Sequence, residues 1–385
     1  MVNKKKISLV AVGDVHPDRP NPEECFDLTR SILSAADITF GQFEGVCSEK
    51  ATLVPHLGRS LAVMDPEIGA TLKKAGFTVM SYSGNHTMDY VDFLDTGDNL
   101  NRYGIINMGV GKDIEEARKP AIIDIGGTRV GFLAVNAVDN LPHFHADIGR
   151  PGTVPLKVRT TFEQIDKQPG IPPISYTTAN EEDLHNLLED IKKLRPQVDV
   201  LVWSIHWGLH LMPVVLADYE LVVGHAVIDA GADLILGHHP HLMKGIEIYK
   251  GKAIFYSMGN FVFDQYSLVA RKDIEKYGAH HVPAEKIKKK FAPQAILPRP
   301  WNPDCPRFQW PPVSRKSMII KCAIEDKTIK KVTLLPVYVN DNGVPEPVSP
   351  SSEKGKGVIE FLNESSLQFD LKLTVEGEEA VVVKK

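Results

Sequence analysis

Three features of this 385-residue chain predict an α/β fold. Short apolar runs of strand length alternate with helix-length amphipathic segments, the rhythm of a mostly parallel sheet covered by helices. Several runs, such as Ile7–Val12 and Val198–Ile205, are almost continuously apolar, as strands buried on both faces require. Five stretches also end in residues of metal-ligand type, at the carboxyl edge where open α/β sheets keep their sites.

Along the chain, Ile7–Val12 reads as the first strand and is followed by Gly13, Asp14, Val15 and His16. Glu23–Ala36 reads as a helix, and Ile38–Phe43 as a strand running into Glu44. Leu53–Arg59 is a loop whose Arg59 suits an anionic substrate. Asp65–Ala75 is a helix with Pro66 at its start and Gly76 after its end. Phe77–Tyr82 is a strand leading to Asn85, His86 and Asp89. Phe93–Tyr103 is helical, and Ile122–Asp124 with Thr128–Val135 form a hairpin around Gly126-Gly127. Asn136–Ser175 shows no clear period. Glu181–Leu194 is an amphipathic helix, with Leu184, Leu187, Leu188, Ile191 and Leu194 on one face. Val198–Ile205 is a strand ending in His206, and Tyr219–Ala230 is a helix stopped by Gly231. The next strand ends in Gly237, His238, His239, Pro240 and His241. Ile254–Ser257 is a further strand. Gln265–Lys316, with the basic run Lys286–Lys290, breaks the rhythm as an inserted lid or interface arm. Ser317–Ile324 and Lys331–Val339 form a hairpin, then Val358–Leu367 a short helix, and Leu371–Val383 closes the chain.

A net charge of -5 argues against a nucleic-acid partner, which usually meets a basic face. No apolar run is long enough to span a bilayer, and Ile7–Val12 is too short for a signal-peptide core, so no membrane anchor is expected. Cys25, Cys47, Cys305 and Cys322 are scattered without CxxC spacing, which fits reduced thiols in the cytoplasm.

The candidate metal ligands are Asp14, His16, Glu44, Asn85, His206, His239 and His241. A histidine such as His206, taken alone, more often sits satisfied in a core; its place in the series reverses that expectation. Mixed oxygen and nitrogen donors suit Zn, Mn or Fe better than Ca. The set is too large for one zinc, which takes about three protein ligands plus water in a catalytic site. It suits two divalent cations with Glu44 between them, an arrangement that can activate water. His86 or His238 would give a proton to the leaving atom.

On these residues the chain resembles the CapA family of poly-γ-glutamate capsule proteins, within the calcineurin-like metallophosphoesterase superfamily. The resemblance rests on Gly13-Asp14, Glu44-Gly45, NHxxD at Asn85, His86 and Asp89, and HWG at His206–Gly208. It extends to GHHPH at Gly237–His241, SMGNFVFDQ at Ser257–Gln265, and the segment Glu115–Val135. It implies a four-layer α/β/β/α sandwich around a dimetal centre. That would be one domain over 1–385, with the arm at about 265–316 and a β-rich extension over 317–385. The superfamily's metal motifs map onto Asp14, His16, Glu44, Asn85, His86, His206, His239 and His241. Asp89 would join His86 and His238 in catalysis, and Arg59, His210 and Asn260 would face substrate. The chain departs from the pattern in two places. Glu44 stands where the superfamily has a bridging Asp, and Leu209-His210 follow HWG where family members carry Glu-Tyr. Three functions fit. The first is a metal-dependent hydrolase acting on a γ-glutamyl amide or a phosphoester. The second is a non-catalytic accessory of capsule assembly that binds a polyanion. The third is a redeployed metal enzyme acting on a small catabolic substrate. Oligomerisation through 265–316 is a further expectation.

Overall fold

The computed structural model describes residues 6–50, 52–54, 61–138, 144–164, 173–264, 305, 308 and 310–384. The first apolar run forms β1 (Lys6–His16), and its alternation sets the layers. Ile7, Leu9 and Ala11 enter a core between two sheets, whereas Val10 and Val12 lie under helices on the other face. β2 (Ile38–Phe43), β3 (Val79–Ser81) and β4 (Ile106–Met108) follow in parallel register. α1 (Arg30–Ser34), α2 (Ile68–Ala75) and α3 (Leu94–Arg102) connect them and pack Leu33, Leu72 and Leu100 onto the outer face.

The second sheet runs β9-β10-β8-β7-β6-β5, built from β5 (Ala121–Ile125), β6 (Thr128–Asn136), β7 (Val200–His206), β8 (Leu234–His238), β9 (Ile246–Tyr249) and β10 (Lys252–Phe255). Its inner face carries Val200, Val202, Leu234 and Leu236. Its outer face, with Leu201, Trp203 and Ile235, is covered by α4 (Glu181–Leu194) and α5 (Asp218–Ala230). Two sheets face to face, each backed by helices, give the four layers.

β11 (Asn260–Phe263) pairs with the end of β1 in parallel, and β12 (Lys316–Glu325) with its start in antiparallel. β13 (Thr328–Val339), β14 (Pro345–Pro347), α6 (Glu353–Ser365), β15 (Thr374–Glu376) and β16 (Glu379–Lys384) follow. The β-rich C-terminal segment is therefore half of the first sheet, in the order β15-β16-β13-β12-β1-β2-β3-β4.

Two sequence expectations differ from the structure. The helix over Glu23–Ala36 is divided into a 3₁₀ turn, Pro22–Phe26, and α1. Adjacent Cys25 and Phe26 are both buried and Leu28 is exposed, so no continuous helical stripe exists there. Asn136–Ser175 contains the strand Val158–Glu163, which pairs with Ile174–Ala179 as an antiparallel hairpin. Its exposed, threonine-rich strands lack the apolar alternation that marks a half-buried strand. Of the proposed arm, only 305, 308 and 310–316 are described; Lys286–Lys290 lie outside the described residues. Among the described residues no helix is long and apolar enough to cross a membrane.

Phe40 of β2 and Phe132 of β6 stack between the sheets, with ring centroids 6.2 Å apart and planes 4° from parallel. Phe132→Ala is expected to lower the unfolding free energy by about 3–5 kcal/mol, read from urea denaturation. A loss below about 1 kcal/mol, the scale of an ordinary substitution, would mean that the layers do not depend on this contact.

Candidate metal centre

Strand parity and close backbone contacts bring the polar strand ends together. On β7, Ser204 and His206 continue the inner-facing series begun by Val200 and Val202. On β8, His238 continues that of Leu234 and Leu236. His206 and His238 are in register, and their Nδ1 atoms lie 2.9 Å apart. A Cβ on Gly13 would sit 1.9 Å from the Gly259 carbonyl oxygen, so only glycine lets β1 and the turn before β11 meet this closely. The Asp14 amide donates to that oxygen, and Asp14 pairs with Asn260. Beyond β8, His239 and His241 adopt φ of 102° and 56°. Such conformations cost a non-glycine residue roughly 1–3 kcal/mol each and persist only where the surroundings fix them.

Two overlapping groups of donors result. One ligand atom from each of Asp14, Glu44 and His241 lies within 4.8 Å of the others, and the same holds for Asp14, His206 and His238. His241 Nε2 is 3.6 Å from Glu44 Oε1. Its Nδ1 is 2.8 Å from Asn260 Oδ1, which fixes the ring. Beside them, His206 Nε2 is 2.7 Å from Asn85 Oδ1 and 3.1 Å from His239 Nδ1. Donors about 3 Å apart are neighbours around one ion with bonds of about 2.0–2.2 Å. His16 donates from Nδ1 to the Glu44 carbonyl oxygen at 2.7 Å, the outer hydrogen bond that leaves Nε2 with the lone pair.

Asp14, His16, Glu44, His206, His238 and His241 are all at most 2% exposed. Burial pushes the Asp14 carboxyl up to about 8, against the pull of the His239 amide and of Glu44. Burial also lowers His16, and lowers His206 and His238 strongly; for His206 the neighbouring His239, His238, His241 and His86 add to the effect. The imidazoles are thereby held neutral, the form that binds metal. Among the described residues, neither Asp14 carboxylate oxygen accepts a hydrogen bond of ordinary geometry. A buried carboxylate in that state is costly, and a divalent cation compensates it. The donor set therefore fits divalent cations.

Other predicted residues take different places. His86 is partly exposed, and its Nδ1 is 2.7 Å from Asp89 Oδ2, which also accepts from the Leu61 amide. His238 is enclosed, with Nε2 2.8 Å from Ser204 Oγ. Asn260 holds His241, and Arg59 lies outside the described residues. The His210 ring centroid is 5.5 Å from that of His239 and 5.2 Å from that of His241. Sequence reasoning did not single out Trp310, which stacks on His241 at 4.0 Å and meets Phe263 edge-on at 5.0 Å. It stood among the aromatics of the predicted arm, and no local pattern says which of them returns to the site.

Residues 8–265 match the family described as bacterial capsule synthesis protein PGA_cap. The chain is 26% identical over 428 residues to the uncharacterized protein y4sH of Sinorhizobium fredii (strain NBRC 101917 / NGR234), covering 96% of this chain and 91% of that protein. It is 28% identical over 271 residues to the PGA biosynthesis protein CapA of Bacillus subtilis (strain 168), covering 67% and 64%. It is 30% identical over 278 residues to the capsule biosynthesis protein CapA of Bacillus anthracis, covering 68% and 61%. The chain thus spans less than two thirds of either CapA protein.

His239→Ala is expected to lose bound metal, measured by elemental analysis of the purified protein; full metal content in that variant would remove His239 from the ligand set. Chelation is expected to lower the melting temperature of the wild type. A cation that binds only the folded centre adds about 2.7 kcal/mol at 100 times its Kd. An unchanged melting curve after chelation of metal-loaded protein would show that no cation couples to folding here.

Proposed function

The chain belongs to the bacterial capsule synthesis protein PGA_cap family, and from that premise we propose that it is a metal-dependent hydrolase of a γ-glutamyl-type amide or a phosphoester. The supporting observation is the gathering of Asp14, Glu44 and buried histidines beside the partly exposed His86–Asp89 pair. Asp14, His16, Glu44 and His241 would hold one cation, and Asn85, His206 and His239 a second; Asp14 belongs to both of the close donor groups. Two Mn, Zn or Fe ions bound there would ease the ionisation of water and neutralise charge on the reacting group.

The remaining steps belong to side chains. Asp89 accepts from His86 Nδ1 and orients the ring so that Nε2 passes a proton to the leaving atom. His86 suits this role better than His238, whose two nitrogens face His206 and Ser204 in the interior. Asn260 orients His241 through its side-chain oxygen, a different task from contacting substrate.

A second reading has its own support. The Bacillus relatives are named for PGA or capsule biosynthesis, and a Mycobacterium tuberculosis relative for polyglutamine synthesis as a probable accessory protein. In that reading the centre binds a polyanion without cleaving it. Metal analysis followed by assays on γ-glutamyl p-nitroanilide and bis(p-nitrophenyl) phosphate separates the two. Metal-dependent turnover of either compound supports the hydrolase; bound metal without turnover of either favours the accessory.

His86→Ala is expected to keep its metal and slow turnover by about 10²–10⁴-fold, the usual contribution of a positioned proton donor. Steady-state kinetics on metal-loaded protein test this, and unchanged turnover would take His86 out of the acid role.

A further inference from the structure

His210 sits on the loop between β7 and α5, which is held more firmly than a surface connection needs. Lys244, fully buried, donates from Nζ to the carbonyl oxygens of Met212 and Val215. The Leu211 amide donates to the Pro240 oxygen, which lies between His239 and His241. Tyr219 accepts from the Gly208 amide at 2.7 Å, and the Ala217 amide donates to Glu220 at 2.6 Å. Leu211 and Val214 adopt φ of 53° and 66°, left-handed backbone that is unfavourable for a branched side chain. The Leu211 side chain is buried with Leu61, Leu242, Phe263, Phe308 and Trp310.

These restraints fix His210 above the two C-terminal histidines of the centre. Its ring meets His241 edge-on at 5.2 Å and Trp310 at 6.2 Å. With His239 at 5.5 Å as well, the ring borders two of the residues assigned to the cations. Of the site histidines described, His86 and His210 are the two that retain appreciable exposure. Partial exposure is what lets a side chain at the centre meet a molecule arriving from solvent, and His210 has it. Trp310 stacks on His241 at 4.0 Å, and the polar His210 ring lies beside both.

We infer that His210 is a substrate-contact residue, donating a ring N–H to an anionic oxygen of the phosphate or carboxylate group that binds at the centre. The inference rests on the cation reading above and adds a specificity element supplied by this chain's own Leu209-His210. Trp310 and the braced loop position that contact.

The test uses full-length protein loaded with Mn²⁺, titrated calorimetrically with inorganic phosphate and, separately, with L-glutamate. His210→Ala is expected to bind the same amount of Mn²⁺ as the wild type, with an unchanged melting temperature. It should bind at least one of the two anions about 10-fold or more weakly, the scale of a lost hydrogen bond to a charged group. The anion affected identifies the source, phosphate for a phosphoester and glutamate for a γ-glutamyl compound. His210→Gln keeps an N–H donor and is expected to recover most of the affinity. Wild-type affinity for both anions in His210→Ala would overturn the inference. So would Mn²⁺-loaded wild type that binds neither anion, or loss of Mn²⁺ in the variant, which would make His210 a ligand. Failure of the wild type to take up Mn²⁺ would instead defeat the cation reading, and this inference would fall with it.

Discussion

Two acidic side chains and a group of imidazoles occupy a space from which water is nearly excluded, and the rest of the structure answers to that. Asp14 is fully buried and Glu44 nearly so. In a dry site two like charges repel and each loses its hydration, so the bare pair must hold a proton between them or meet positive charge. The upward shift of Asp14 is the penalty of lost hydration, which outweighs the opposing pull of the His239 amide and of Glu44. The histidines bear the matching one, since burial and mutual repulsion keep them from carrying the positive charge themselves. A divalent cation relieves both at once, because it favours ionised carboxylates and takes lone pairs from neutral rings.

Such a centre survives only on a stiff scaffold. The apolar sandwich supplies the favourable burial, and the polar groups sit at its edge, where strands end and backbone can bend. The bends are tightly determined. A Cβ on Gly237 would meet the Tyr256 oxygen at 2.3 Å and Trp207 Nε1 at 2.6 Å, so the last turn of β8 packs against its neighbours through bare backbone. The next residues then enter left-handed conformations at His239 and His241. The strain there is stored within reach of Asp14, Glu44 and His206, as expected where a fold holds ligands in place before the ion arrives.

Much of this was legible in the sequence because period and punctuation are local. β1, β2, β7 and β8 were visible as apolar runs, and α4 as a stripe of leucines and isoleucine closed by basic residues. The strand-end residues Asp14, Glu44, Asn85, His206, His239 and His241 were marked by position alone. What the sequence hid is what depends on tertiary contact. The hydrogen bonds of His238 to His206 and Ser204 follow from strand register, which no local pattern specifies. The service of Asn260 to His241 depends on β11 lying against β1. Nothing in the local sequence marks Lys244, yet it is a buried brace.

The division between family and chain has a physical basis. The candidate ligand residues all lie within 8–265, the part that matches the family. A ligand set is constrained by the geometry of an ion and tolerates little change. Trp310 comes from outside that stretch, and His210 from a loop inside it. Both rings meet His241, where shape and hydrogen-bonding character, and not the geometry of an ion, set what fits. A scaffold of this kind can keep its metal chemistry while the wall above it changes partner. The wall here is the imidazole of His210 beside the indole of Trp310, their ring centroids 6.2 Å apart. Neither ring is a carboxylate, so this wall adds no negative charge beside Asp14 and Glu44 and no further repulsion toward an anionic group.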